Sequence, residues 1–313
     1  MTAEPSAPPL IVLAGPTATG KTEMAIRLAE AITAGGRPAA VISADSRQVF
    51  RGLDIGTAKV GAMDRARVPH HGLDLVDPDQ PFSVADFVAH TRAVLDDLGR
   101  TGSVAILAGG TGLYLRAVGR GLDTDALPSD PDLRARLEAD LIADGLFASV
   151  ERLQEIAPRR AATVDLRNPR RVVRALEIAE LRGDGPPPAP RGYPGPSLWL
   201  GLSVHPHAHA AWVAARARQQ FDSGLIEEAC ALRDRFDPGL PAFSAIGYRE
   251  AWAIIDGVLS RVAAIELVAQ RTHAFSKRQR TWFRSEPGIT WLDATDAPPT
   301  DAAMERIRRL IEP

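Results

Sequence analysis

The chain has 313 residues, 45% hydrophobic and 24% charged, the composition of a folded protein with room for two domains or for one core with a large insertion. A formal net charge of −2 means that any nucleic-acid site must be a local patch, and a single cysteine excludes an intrachain disulfide and a cysteine-built metal site. No run reaches the about 18 apolar residues of a membrane span and no signal-peptide pattern is present, so a cytoplasmic protein with no membrane association is expected.

Residues 2–9 are rich in Pro and Ala and are expected to be disordered. Leu10-Ile11-Val12-Leu13-Ala14 then reads as a buried strand. It runs into Gly15-Pro16-Thr17-Ala18-Thr19-Gly20-Lys21-Thr22, which fits G-x-x-x-x-G-K-[ST], the phosphate-cradling P-loop. Glycines let the backbone turn tightly so that its N–H groups converge on a phosphate. Lys21 sets a positive charge against the outer phosphate, and Thr22 offers a hydroxyl to Mg²⁺. Ala25, Leu28, Ala29 and Ile32 recur at helical spacing, so a helix N-terminus completes an anion site. A diphosphate or triphosphate is expected here.

A second buried strand, 39–44, ends at Asp45. Ligands of open α/β sheets sit beyond the carboxyl ends of strands. Asp45 therefore reads as a general base, as a ligand to a Mg²⁺-bound water, or as a turn cap, with Ser46, Arg47 and Gln48 beside it. Residues 52–59 read as a loop. His70 and His71 are neighbours, so they point to different faces and do not share a metal. Residues 83–98 form an amphipathic helix capped by Ser83. A third strand, 104–108, leads into Gly109-Gly110-Thr111-Gly112, which suits a close approach or a tight packing turn.

Composition changes over 123–195. A polar connection, 123–131, precedes helical patterns at 133–146 and 150–156. Asn168 and Pro169 then start a helix with Arg170, Arg171 and Arg174 in its first turns. Cations are disfavoured at that end by ~0.3–1 kcal/mol each, which points to an anion. With Arg159, Arg160 and Arg167 nearby, this is a phosphate-backbone patch or else a solvated face paired with Glu177, Glu180 and Asp165. Residues 183–196 are rich in Pro and Gly and read as a linker.

A further strand, 198–204, resumes the core. His205, His207 and His209 follow and read as a surface loop, because Pro206 interrupts them. Residues 211–236 read as one long helix carrying Arg216 and Arg218, with Cys230 as a buried thiol. Over 263–284, Ile265, Val268, Thr272, Phe275, Gln279 and Trp282 mark one mostly apolar helix face. Lys277, Arg280 and Arg284 share another face, with Arg271 and Arg278 nearby and no acid between Leu267 and Ser285: a second basic patch. Trp282 and Phe283 read as packing residues before base-stacking ones. Residues 302–311 form a last amphipathic segment.

In order along the chain, seven blocks closely resemble the tRNA dimethylallyltransferases. They are the P-loop, 43–59, 68–71, 109–115, 168–178, 245–250 and 277–284. The resemblance implies a P-loop NTPase-like core, a parallel sheet flanked by helices, at 1–122 and 196–313, with an all-helical tRNA-binding domain inserted at 123–195. It implies transfer of a dimethylallyl group from its diphosphate to N6 of adenosine 37, beside the anticodon of tRNA. Gly15, Pro16, Thr17, Ala18, Thr19, Gly20, Lys21 and Thr22 would hold the diphosphate, Thr22 with Mg²⁺. Asp45 would be the base on N6, and Arg216 with Thr22 would grip the pyrophosphate. Asp45, Ser46, Arg47, Gln48 and Thr111 would meet the target base and its neighbours. Arg134, the run Arg170-Arg171-Val172-Val173-Arg174, and Lys277, Arg278 and Arg280 would meet tRNA. No obligate protein partner is implied. Phe50, Trp212 and the histidines at 205–209 depart from the family pattern. An ATP-dependent small-molecule kinase and a nucleotide-dependent RNA binder without chemistry are the competing classes for the P-loop alone.

Overall fold

The computed structural model describes residues 7–124, 128–186 and 188–312; most of the expected tail, residues 125–127 of the expected connection and Pro187 of the expected linker lie outside them. The chain divides into two compact units, Met1–Gly121 with Gly192–Pro313, and Leu122–Arg191. The second border falls earlier than residues 195/196 because the chain is tied into the first unit from Gly192 onward. Gly192 N–H donates to the Arg120 carbonyl (3.0 Å), the Tyr193 hydroxyl to Pro8 (2.6 Å), and Leu10 N–H to Pro196 (2.9 Å).

The first unit opens with β1 (Leu10–Ala14), α1 (Lys21–Ala34), β2 (Ala39–Ser43), α2 (Ala62–Arg67), β3 (His70–His71), α3 (Val84–Arg100), β4 (Val104–Gly109) and α4 (Gly112–Gly119). The second unit holds α5 (Pro131–Ile156), α6 (Pro158–Ala161) and α7 (Pro169–Arg182). The first unit resumes with β5 (Ser197–Ser203), α8 (Pro206–Asp222), α9 (Leu225–Arg233), α10 (Tyr248–Ile255), α11 (Arg261–Arg284), β6 (Thr290–Asp293) and α12 (Thr300–Ile311). The strands form one parallel sheet in the order β3-β2-β4-β1-β5-β6. Parallel sheets are covered on both faces, which is why β1, β2 and β4 are continuous apolar runs with every residue buried. In register, Ala14 lies opposite Gly109, and Ser43 opposite Ala108. The segments leaving β1, β2 and β4 therefore emerge side by side at one sheet edge.

Several expectations change. The 211–236 helix breaks at Gly224, whose φ of 101° favours glycine, giving α8 and α9. Pro206 does not interrupt a loop; it occupies the first turn of α8, which puts His207 and His209 on that helix and buries His209. Cys230 is exposed, not buried, since α9 buries Leu225, Ala229 and Leu232 on its other side. The helical pattern of 133–156 is one segment, α5, kinked at Gly145 (φ 84°). β6, a short edge strand, had no clear sequence signal. Among the described residues no helix is long and apolar enough to cross a membrane.

In the second unit, Leu133, Leu137, Leu153, Val172, Val173 and Leu176 form the core. Glu177 is fully buried beside it, accepting from Arg134 (3.0 Å), Arg174 (2.7 Å) and Asp130 N–H (2.9 Å). Burial alone would raise its pKa; the bonds from Arg174, Asp130 N–H and Arg134 outweigh that and hold the carboxyl below its ordinary value.

Candidate active site

The loop between β1 and α1 turns through Gly15, Ala18 and Gly20, all at positive φ, and Gly20 serves as the N-cap of α1. Its shape is set internally and from outside. Pro16 carbonyl accepts from the Thr19 hydroxyl (2.9 Å) and from Lys21 Nζ (2.6 Å). Thr17 N–H donates to the side-chain oxygen of Gln279 on α11 (2.8 Å), and Thr17 carbonyl meets His209 Nε2 on α8 (2.9 Å). A carbonyl only accepts, so Nε2 carries the proton. Burial pushes the His209 pKa down, consistent with a neutral ring.

Two cavities open at this sheet edge. The first, 380 Å³, is lined by the loop from Thr17 to Thr22 and by Ser43 and Gln48. The second, 310 Å³, is lined by Ser46, Arg47, Thr111 and Arg278. Both are lined by Thr17, Asp45, Thr57, Arg216, Phe275 and Gln279. Asp45 is half-buried and its Oδ1 accepts Arg47 N–H (2.9 Å), a turn that holds the carboxylate at the strand exit. The first cavity is lined by Lys21, Lys59 and Arg216 and by the carboxylates of Glu23, Asp45 and Asp64. Lys59 is paired with Asp54 and Asp74, whereas Lys21 and Arg216 are close enough to Asp45 and to each other to interact electrostatically. The Lys21 pKa is lowered to about 7, first by burial and then by Arg216, with Asp45 opposing. Burial likewise lowers Arg216, with Asp45 opposing. An anion in this cavity would relieve the repulsion between Lys21 and Arg216.

The loop 52–59, one wall of both cavities, is held by a group of bonds with no local sequence signature. Glu228 on α9 accepts the N–H groups of Asp54 (3.2 Å), Ile55 (2.7 Å) and Gly56 (3.1 Å) and the Tyr248 hydroxyl (2.7 Å). Gln220 donates to the carbonyls of Ile55 and Gly56, and Arg216 to that of Thr57 (3.3 Å). On the opposite wall, the helix face read as mostly apolar packs on the exit of β4. A Cβ on Gly112 would lie 2.4 Å from the Trp282 ring, so the glycine admits that tryptophan. Trp282 also lies under Arg116 (4.4 Å), and Phe283 is fully buried, so both are packing residues.

The expected site residues separate into groups. Lys21, Thr22, Asp45 and Arg216 meet in the first cavity, while Ser46, Arg47 and Thr111 line the second. Gln48 lines the first cavity, away from the others, with its amide taken by the Ser43 hydroxyl (2.7 Å) and the Thr57 carbonyl (3.2 Å). Arg278 lines the second cavity, its guanidinium 5.7 Å from the Phe275 ring centre. Arg280 lines a separate 280 Å³ cavity behind the loop with Arg284, His209 and Trp291, and Lys277 is exposed. In the second unit, Arg170 and Arg171 are exposed and their guanidiniums have no partner among the described residues. Arg134 and Arg174 are committed to Glu177. Val172 and Val173 correct the expectation: at 0% and 3% exposure they are core residues, and their side chains cannot reach RNA. Sequence reasoning missed Gln279, Phe275, His209, Gln220 and Glu228 as site-forming residues; Gln279 alone carried a hint, as an amide on an otherwise apolar stripe.

A family model described as IPP transferase matches residues 48–286. The chain is 38% identical over 307 residues to a tRNA dimethylallyltransferase of Symbiobacterium thermophilum, a match covering 97% of this chain and 95% of that protein. The crystal structure of full-length tRNA isopentenylpyrophosphate transferase from Bacillus halodurans has a TM-score of 0.70 at 36% identity, covering 97% of this chain and 96% of that one. A eukaryotic dimethylallyltransferase acting on tRNA shares the fold, with a TM-score of 0.74 at 24% identity, covering 96% of this chain and 78% of that one.

Proposed function

The chain belongs to the IPP transferase family, and on that premise we propose that it moves a dimethylallyl group from dimethylallyl diphosphate to N6 of adenosine 37, beside the anticodon of tRNA, releasing pyrophosphate in the cytoplasm. The observation that carries the reading is the position of Asp45, whose carboxylate borders both the cation-lined cavity and its neighbour. The relatives support this activity and not a small-molecule kinase.

The chemistry follows from the acceptor. An adenine amine is a weak nucleophile because its lone pair is delocalised into the ring. It needs a base at the attacking nitrogen and an electrophile whose bond to the leaving group breaks early. Asp45 takes the N6 proton as the nitrogen attacks the allylic carbon. As the C–O bond opens, negative charge grows on the pyrophosphate, where Lys21, Arg216 and the N–H groups of the loop stabilise it. The target base must leave the anticodon-loop stack, at a cost of a few kcal/mol. The second cavity, with Ser46, Arg47, Thr111 and Arg278, is the pocket that receives it.

The donor set also fits a magnesium ion. The Thr22 hydroxyl lines the first cavity and makes no hydrogen bond among the described residues. Among those residues there is no cluster of three His, Cys, Asp or Glu, and Thr22 is the residue that would hold Mg²⁺. An ion held there would supply positive charge against the leaving group.

The test supplies unmodified tRNA, Mg²⁺ and either dimethylallyl diphosphate or ATP. Pyrophosphate release is expected only with the allylic diphosphate and tRNA together, with a dimethylallyl mass gain on one adenosine beside the anticodon, and Lys21→Ala should abolish it. Product formed with stoichiometric ATP use, the allylic diphosphate being ignored, would overturn the reading.

A further inference from the structure

We propose that Gln279 is a positioning residue that ties the phosphate loop to the exit of β4 and so sets the separation between leaving group and acceptor base. The inference rests on the transferase reading above. The Gln279 side-chain oxygen accepts Thr17 N–H at 2.8 Å, and its nitrogen donates to the Gly110 carbonyl at 2.9 Å. These partners permit one amide orientation, because an N–H only donates and a carbonyl only accepts; the flipped amide loses both bonds. Gln279 is 7% exposed and sits in the wall shared by the two cavities, where its two bonds fix the side chain between them.

The two ends of the bridge belong to different parts of the reaction. Thr17 is in the loop that cradles the phosphates. Gly110 precedes Thr111, whose hydroxyl accepts Ser46 N–H at 3.0 Å and whose N–H donates to the Ala44 carbonyl at 3.1 Å, on either side of Asp45. One side chain of α11 thus spans the loop and the segment that braces the base. A Cβ on Gly110 would lie 2.4 Å from the Gln279 nitrogen, so glycine there lets the bridge close. With Thr17 N–H given to Gln279 and its carbonyl to His209, both polar backbone groups of Thr17 are held by other parts of the chain.

The test compares Gln279→Ala and Gln279→Glu with the parent protein, by single-turnover transfer at saturating tRNA and dimethylallyl diphosphate, the dissociation constant of each, and amide exchange in the phosphate loop. Displacing reacting groups by about 1 Å costs up to roughly a hundredfold, so Gln279→Ala should slow transfer by roughly ten- to a hundredfold with tRNA affinity within about threefold. Thr17 N–H should lose its exchange protection. Gln279→Glu supplies a signature that general destabilisation lacks. An ionised carboxylate accepts from Thr17 but cannot donate to Gly110, whereas the protonated acid does both. The rate ratio of the Glu to the Ala variant should therefore rise as pH falls.

A saturated rate within about threefold of the parent, or a loss confined to diphosphate affinity, would overturn the proposal. So would a flat pH dependence of that ratio. A parent protein that transfers nothing would sink the functional reading instead, and Thr17 exchange would still decide the bridge: unchanged protection in Gln279→Ala refutes it.

Discussion

Replacing Arg170 and Arg171 together by alanine should flatten the salt dependence of tRNA binding, while Arg174→Ala should leave it almost unchanged. All three lie in the first turns of α7, where the helix dipole disfavours cations. Their surroundings differ. Arg170 and Arg171 are exposed and unpartnered among the described residues, so each can displace a counterion from an RNA phosphate. Arg174 is bound to Glu177 at 2.7 Å and to the Pro128 carbonyl at 2.8 Å, so its charge is already spent. For single-stranded backbone each lost contact removes about 0.7 from the slope of log K against log salt, so the double variant should lose about 1.4. Between about 50 and 200 mM salt, its affinity deficit should then shrink by about sevenfold. Fluorescence anisotropy with a labelled anticodon stem-loop, titrated at four or more salt concentrations, reads this directly. Removing two cations from a helix N-terminus should not lower the melting temperature, which separates lost contact from lost fold. An unchanged slope in the double variant, or a larger change in Arg174→Ala, would refute the assignment.

Three further outcomes are expected. Asp45→Asn keeps size and polarity but removes the base, so single-turnover transfer should fall by at least ~10² with tRNA affinity little changed; near-normal turnover would remove Asp45 from the mechanism. Burial and Arg216 lower the Lys21 pKa to about 7 in the free protein, and a bound diphosphate favours its charged form. Diphosphate affinity should therefore be flat below that pH and weaken by up to about tenfold per unit above it, with proton uptake in calorimetry; flat affinity up to about pH 9 would contradict this. Glu177→Gln strands Arg134 and Arg174, which still reach solvent, so its cost should lie near or below the low end of the ~3–5 kcal/mol of a broken buried pair. Because the folded pKa of Glu177 is lowered, its stabilisation is present at neutral pH and lost as pH falls through the carboxylate range; parent and variant melting curves should converge in acid.

Local patterns were enough for much of this protein. The apolar runs of β1, β2 and β4, the P-loop between strand and helix, Ser83 and Asn168 as caps, and Asp45 at a strand exit all depend on residues close in sequence, where strand burial, turn geometry and capping act. The change in composition after residue 122 marks the inserted helical unit for the same reason. Distance in sequence hid the rest. Glu228 holds loop 54–56 from 172 to 174 residues away, and Gln279 holds Thr17 from 262. No spacing rule links such partners, because their meeting depends on which strands lie adjacent in the sheet and where α8, α9 and α11 pack. Burial was equally hidden: periodicity could not distinguish the arginines of α7 already paired with Glu177 from those left to solvent, nor keep the valines between them out of a binding list. Sequence alone thus determined which groups the chain carries to one sheet edge, since each is set by its own strand or helix. Only tertiary packing decided which of them remain uncommitted there, since that depends on the partners the fold brings to each.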